Sequence, residues 1–261
     1  MVTVYEHPLS PYAQKVKIAL REKGVAFDLA LPGGLGAGGV AGDFLRANPR
    51  AEVPVLIDGE TTVFDSTIIL EYIEDRWPTP PLLPASPAAR ARSRTIEEVM
   101  DTHFEAINWG LGEIGWFKRA QGALAETLTA NAARQTQGWY AWLEGQLGSG
   151  DWFNGATFGW ADLSVAAYVG ASISLGNPPA AGSSLSAWFA RAMERPAVAT
   201  TVREAYAFDR GSVDVADLVA RGLFKREYRD HRLEWMIKSG GLEVVVKGLE
   251  AGNIRFTETF S

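Results

Sequence analysis

The chain has 261 residues, 47% of them hydrophobic and 21% charged, which is the composition of a folded chain long enough for one large domain or two ordinary ones. A formal net charge of -6 disfavours nucleic acid as the main partner, because a phosphate backbone is held by a basic surface. The chain contains no cysteine, which excludes disulfides, thiolate metal sites, a cysteine nucleophile and any thiol–disulfide exchange carried by the protein itself.

Residues 2–5, VTVY, read as a buried strand. From Pro11 to about Lys23 the pattern is helical, with Val16, Ile18, Ala19 and Leu20 clustered on a face and Gly24 as the C-terminal stop. Residues 25–31, VAFDLAL, form a second strand, so the chain opens on a parallel β-α-β unit. The glycine-rich stretch at 32–42 lacks the Gly-Lys-Ser/Thr ending of a P-loop and the GxGxxG spacing of a dinucleotide site, so it is expected to be a plain loop. A short helix at 44–49 ends on a proline. VPVLIDG at 53–59 is a strand with a hairpin signal at Asp58-Gly59, and TTVFD at 61–65 pairs back against it. Ser66 then opens a helix, STIILEYIEDRW, through residue 77. The order β-α-β-α-β-β-α predicts an α/β domain of thioredoxin type over residues 1–78.

The proline-rich stretch PTPPLLPASP at 78–87 stops the helix and stiffens the connection, so a linker is placed at 79–87. Beyond it the pattern is all helical over 88–207. Ile96, Met100, His103, Ile107, Leu111 and Ile114 form one stripe at helical spacing, with Trp109 and Trp116 roughly opposite, on the Glu105 side. Further helices read at about 124–147, 160–175 and 185–194. Residues 208–261 form a helical extension, in which FKREYRDHR mixes charge signs and reads as a solvated helix face. His7, His103 and His231 show no metal-ligand spacing, so no bound metal is expected. No apolar run approaches the roughly 18 residues of a membrane span, and MVTVYEHP is not a basic-then-apolar leader. The expectation is a soluble, cytoplasmic protein without membrane contact.

Three local features carry chemistry only when taken together. Ser10-Pro11 is a helix start, with Ser as N-cap and Pro in the first turn. Val53-Pro54 at the entry of a strand removes a ladder donor. Asp65-Ser66 is a second helix start. A helix N-terminus leaves amides unpaired and favours negative charge, so a hydroxyl at Ser10 can both cap the helix and donate to an anion held beside it.

With these motifs in that order, the chain resembles the soluble glutathione transferases over roughly residues 2–207. SPYAQKVKIALREKGV, VPVLIDGE and DSTIILEYIED look like the serine-type classes, such as plant tau enzymes and some bacterial ones; SPY with LPGG is similar to etherase-type members. FNGATFGWADLSVAAY is similar to the family's buried capping motif, with Gly159 standing where Ser or Thr is usual and Asp162 as the acidic residue; a weaker cap is expected, not a lost helix. The resemblance implies a thioredoxin-like N-terminal domain followed by an all-α C-terminal domain, glutathione as co-substrate and a homodimer. It implies that Ser10 stabilises the thiolate of bound glutathione. A cis-Pro54 would turn the Val53 backbone toward the cysteinyl unit, and Asp65 with Ser66 would hold the γ-glutamyl end. Many serine-type relatives have a lysine just before the Val/Ile-Pro pair, facing the glycyl carboxylate; here it is Glu52, and Arg50 or Arg46 would have to substitute. The acceptor site for a small hydrophobic electrophile would lie between the domains, walled by Tyr12, Trp109 and Trp116, with the extension over the cleft. The rival reading is a non-catalytic binding or assembly protein with a relic site, which Glu52 favours.

Overall fold

The computed structural model describes residues 1–33, 43–208 and 214–256. In the first domain, β1 (Val2–Tyr5) pairs in parallel with β2 (Phe27–Ala30) across helix α1 (Pro11–Glu22). After the short helix α2 (Asp43–Ala47), β3 (Val55–Asp58) and β4 (Thr61–Phe64) form the antiparallel hairpin, and α3 (Ser66–Arg76) follows. The sheet order is β2-β1-β3-β4, with β3 antiparallel to β1. This is the thioredoxin-like α/β layer that the element order predicts. Most of the glycine-rich loop, residues 34–42, lies outside the described residues.

The second domain is helical: α4 (Pro87–Val99), α5 (Glu105–Gly115), α6 (Gly122–Leu147), α7 (Trp160–Ser174), α8 (Ser184–Ala192) and α9 (Pro196–Ala207). Ser86 caps α4 through Ala89 N at 3.2 Å, with Pro87 in the first turn. The preceding linker is pinned to the first domain. Glu74 accepts from the amides of Leu82 and Leu83, and Lys23 donates to the Trp77 and Pro80 carbonyls. α9 begins at Pro196, a helix start that the sequence pattern did not predict.

The predicted stripe on the first long helix is corrected at one point. Met100–Phe104 is a π-helical turn joining α4 to α5. Its wider turn advances the phase, so Phe104 takes the buried position and His103 is left exposed, stacked on Trp139 at 4.6 Å.

The α7 start keeps its helix and shows why glycine stands there. A Cβ on Gly159 would lie 2.2 Å from Asn154 Nδ2 and 2.3 Å from the Leu82 carbonyl oxygen. The Asp162 carboxylate accepts instead from the backbone amides of Gly159, Asn154 and Phe153 and from Trp188 Nε1.

The extension holds α10 (Val215–Ala220), α11 (Asp230–Lys238) and α12 (Leu242–Glu250), with β5 (Arg226–Glu227) paired in parallel to β6 (Ile254–Arg255). The solvated-face reading of FKREYRDHR is overturned. Only its last part is helical, Tyr228 is 1% exposed, and Arg226 and Arg232 turn inward onto carboxylates of α5. Arg232 and His231 hold Glu105, at 2.6 and 2.9 Å; Arg226 and Tyr228 reach Glu113. Trp235 packs on Gly110 so closely that a Cβ there would meet its ring at 2.1 Å.

Candidate active site

Two helix N-termini and one strand entry converge on a single cavity of about 1240 Å³ between the domains. Ser10 sits in extended backbone ahead of α1, and its Oγ accepts from Ala13 N at 3.4 Å. Pro11 has no amide proton to satisfy, which fits the first helical position. Asp65 caps α3 by accepting from Thr67 N at 3.1 Å and Ile68 N at 3.5 Å. It does so at φ 73°, a left-handed conformation unusual for a non-glycine residue and found disproportionately at functional sites. Ser66 follows, buried in the first turn. The Val53-Pro54 peptide is cis. Its approach is braced by Asn48, whose Nδ2 donates to the Glu52 carbonyl at 2.8 Å and whose Oδ1 accepts from Arg50 N at 3.0 Å. Ser10, Val53, Pro54, Asp65 and Ser66 all line the cavity, as do Tyr12, Trp109 and Trp116.

The two charged positions beside Val53 are engaged with each other. Arg50 Nη2 is 2.8 Å from Glu52, and its Nη1 is 4.0 Å from Asp65. Burial pushes the Glu52 carboxyl up to about 7, helped by the Glu227 carboxyl that β5 brings against it and opposed by Arg229 and Arg50. The extension therefore closes over the Glu52 edge of the cavity.

Tyr12 lies in the wall, but its hydroxyl donates to the Asp101 carbonyl at 2.8 Å. Burial, with Glu105 and Asp101 close by, raises the Tyr12 phenol well above its ordinary range. It is poorly placed to activate a thiol, and Tyr5, packed on Phe44, is not part of the described wall. Behind Tyr12 runs an interdomain network. Lys15, fully buried, reaches Glu97 and Asp101, each at 2.5 Å; Tyr168 donates to Asp101 at 2.9 Å, and Trp160 donates to Glu97. Burial raises Asp101 to about 6 in spite of Lys15.

Trp109 stands edge-on to Tyr228 at 4.7 Å, with the Arg232 and Arg226 guanidinium carbons 5.4 and 5.5 Å from its ring centre. Its Nε1 has no partner among the described residues. Trp116 lies over Gly112. Trp109 thus lines the cavity and also packs on the extension. The residues missed at sequence level are those of the extension: Arg226, Glu227, Arg229, Arg232 and Arg255 all line the same wall. A signal was present. Glu105, Trp109 and Glu113 recur every four residues along one helix face, and the basic run 225–232 is their complement.

Glu105 carries the clearest pH consequence. Burial disfavours its charge, but Arg232 and His231 outweigh burial and hold it down at about 2. Its folded-state value lies below the unfolded one, so this contribution, about 3 kcal/mol, is present above pH ~4.5 and is lost as the pH falls towards ~2. Hydrogen exchange of α11 amides over that range is expected to report release of the extension, with the acid step flattened in Arg232→Gln. An unchanged acid step in that variant would refute the assignment.

Among the described residues, no helix is long and apolar enough to cross a membrane, and no group of three His, Asp or Glu side chains is placed to hold a metal ion.

A thioredoxin-like domain with two helix N-termini beside a cis-proline, joined to a helical bundle across the cleft, is the fold of the glutathione transferases. Residues 4–81 match the family model "Glutathione S-transferase, N-terminal domain". Stringent starvation protein A homolog of Coxiella burnetii is 38% identical over 104 residues, 40% of this chain and 48% of that protein; the match to such relatives thus spans about half their length. Glutathione S-transferase U28 of Arabidopsis thaliana is 29% identical over 214 residues, 78% of this chain and 89% of that one. Among solved structures, a glutathione S-transferase of Methylobacterium radiotolerans in complex with glutathione sulfonate superposes with a TM-score of 0.62 at 27% identity, covering 77% of this chain and 94% of that one. Residues 4–81 are therefore a domain of the glutathione S-transferase N-terminal type, and the fold of the chain is similar to that of solved glutathione S-transferases.

Proposed function

We propose that the chain is a glutathione S-transferase that joins the glutathione sulfur to a hydrophobic electrophile. In this reading Ser10 donates its hydroxyl proton to the thiolate, and the α1 N-terminus favours the same charge. Asp65 meets the γ-glutamyl ammonium, and Ser66, at the α3 N-terminus, meets its carboxylate. The thiolate attacks the electrophilic carbon, a carbon–sulfur bond forms, and a halide or aryl oxide leaves with the bonding pair; in an addition, the adjacent carbon instead takes a proton. Trp109 and Trp116 supply apolar wall for the acceptor. The observation that carries this reading is that Ser10, the cis Val53-Pro54 unit and Asp65-Ser66 line one cavity with those tryptophans. A homodimer in the cytoplasm, in a detoxifying role, completes the proposal. Support for glutathione comes from the Methylobacterium relative, whose complex holds glutathione sulfonate.

A second reading has its own observation. The Glu227 carboxyl abuts Glu52, and the starvation-protein relative matches only 40% of this chain. A binding or assembly protein with a relic site fits both. Calorimetric titration with glutathione, followed by conjugation of 1-chloro-2,4-dinitrobenzene, separates the two. The enzyme reading expects saturable binding and turnover. Absence of both up to millimolar glutathione would refute it.

A further inference from the structure

The cavity wall contributed by the extension is rich in arginine, and its members differ in one respect. Arg226 is taken by Glu113, Arg232 by Glu105 and Arg255 by Glu227. Arg229 is half-buried in the same wall. Among the described residues, no carboxylate lies within 4.0 Å of its guanidinium, and no side-chain or backbone acceptor is hydrogen-bonded to it. The titratable groups closest to it are Tyr12, Glu52, Arg232 and Glu227, which places it between the Tyr12 wall and the Glu52 edge. The two nearby glutamates are already paired, Glu52 with Arg50 at 2.8 Å and Glu227 with Arg255 at 2.7 Å. The adjoining Asp230 is exposed.

A guanidinium in a cleft wall with no acceptor among the described residues keeps its donors open to the cavity, and its planar fork matches a carboxylate bidentately. We infer that Arg229 is a carboxylate-binding residue of the cleft, contributed by the C-terminal extension. The chemistry has two possible sources: the glycyl carboxylate of glutathione, or an acidic group on the second substrate. The first would supply the cation missing at Glu52; the second would make the preferred electrophile an aromatic acid, its ring against Trp109. Both branches rest on the proposed function for the ligand's identity; the carboxylate chemistry of Arg229 does not.

The test uses the full chain and two matched pairs of probes: glutathione against its glycine monoethyl ester, and 4-nitrobenzoate against 4-nitrobenzamide, all followed by calorimetry. Arg229→Ala is expected to weaken one carboxylate probe roughly ten- to hundredfold, the range of a charge-assisted pair, and to leave its neutral counterpart within about twofold. Arg229→Lys is expected to recover part of the loss, since it keeps the charge without the fork. A loss confined to glutathione assigns the glycyl carboxylate; a loss confined to nitrobenzoate assigns an acidic second substrate. The inference is overturned if the wild type binds neither carboxylate, or if Arg229→Ala changes the charged and neutral members of both pairs equally. Failure of the transferase reading is seen separately, as wild-type protein that ignores glutathione yet still distinguishes nitrobenzoate from nitrobenzamide.

Discussion

Replacing Ser10 by Ala is expected to lower the conjugation rate by roughly a hundredfold while changing glutathione affinity far less. One donor to a developing or bound anion in a partly dry site contributes on the order of 10²-fold, and the charge-assisted bond proposed here is lost completely in alanine. The same change removes the α1 cap, in which Ser10 Oγ accepts from Ala13 N at 3.4 Å. That long bond places the capping cost at the low end of the range, about 0.5–1 kcal/mol. The two roles separate in Ser10→Thr, which keeps the cap and the donor, and in Ser10→Asp, which keeps the cap and puts a negative charge where the thiolate should sit. Threonine should retain most of the turnover; aspartate should fold and be inactive. The spectrophotometric pKa of the bound thiol is the direct readout, and in alanine it should move up towards that of free thiols. Alanine turnover equal to wild type, with an unmoved thiol pKa, would remove Ser10 from the mechanism.

Asp162→Ala is expected to be the most destabilising single change, by about 3–5 kcal/mol. The carboxylate is fully buried and accepts from Phe153 N at 2.8 Å, Trp188 Nε1 at 2.9 Å, and Asn154 N and Gly159 N at 3.1 Å each. Alanine strands four donors and leaves a cavity beside Trp188, which is itself 0% exposed. The melting temperature should fall by about 6–20 degrees, at two to four degrees per kcal/mol for a chain of this size. Asp162→Asn should cost less, because one oxygen still accepts while its amide group turns donors towards donors. Urea unfolding of the two variants gives the ordering. A midpoint for Asp162→Ala within error of wild type would show that the turn over 153–159 finds other acceptors.

The thioredoxin-like half was legible because its signals are local. The strand of 2–5, the cap at Ser10, the hairpin at Asp58-Gly59 and the second cap at Asp65 each rest on neighbours a few residues away. The candidate site was legible for the same reason wherever its residues sit at helix starts. What escaped depends on contacts across more than a hundred residues. Glu105 and Glu113 look like a wet helix face until Arg232, His231 and Arg226 arrive from the extension. FKREYRDHR looks solvated for the converse reason, because each half of the interface is polar when read alone. Gly159 read as a weakened cap, since its spacing to Asp162 was visible and the crowding by Asn154 and Leu82 was not. His103 was misplaced because a 3.6-residue period assumes an uninterrupted α-helix.

That interruption bears on how this chain lines up against its relatives. The π-turn at Met100–Phe104 adds about a quarter of a turn to one shaft that serves two clients. On its near side Glu97 and Asp101 grip Lys15 of the first domain; on its far side Glu105 grips the extension. A homologue without the extra residue would pair its columns correctly up to residue 100 and run one position out of step beyond it. Against such a homologue, a comparison of acceptor pockets that carries residue numbers across that turn without a gap would match Trp109 to a side chain that points elsewhere.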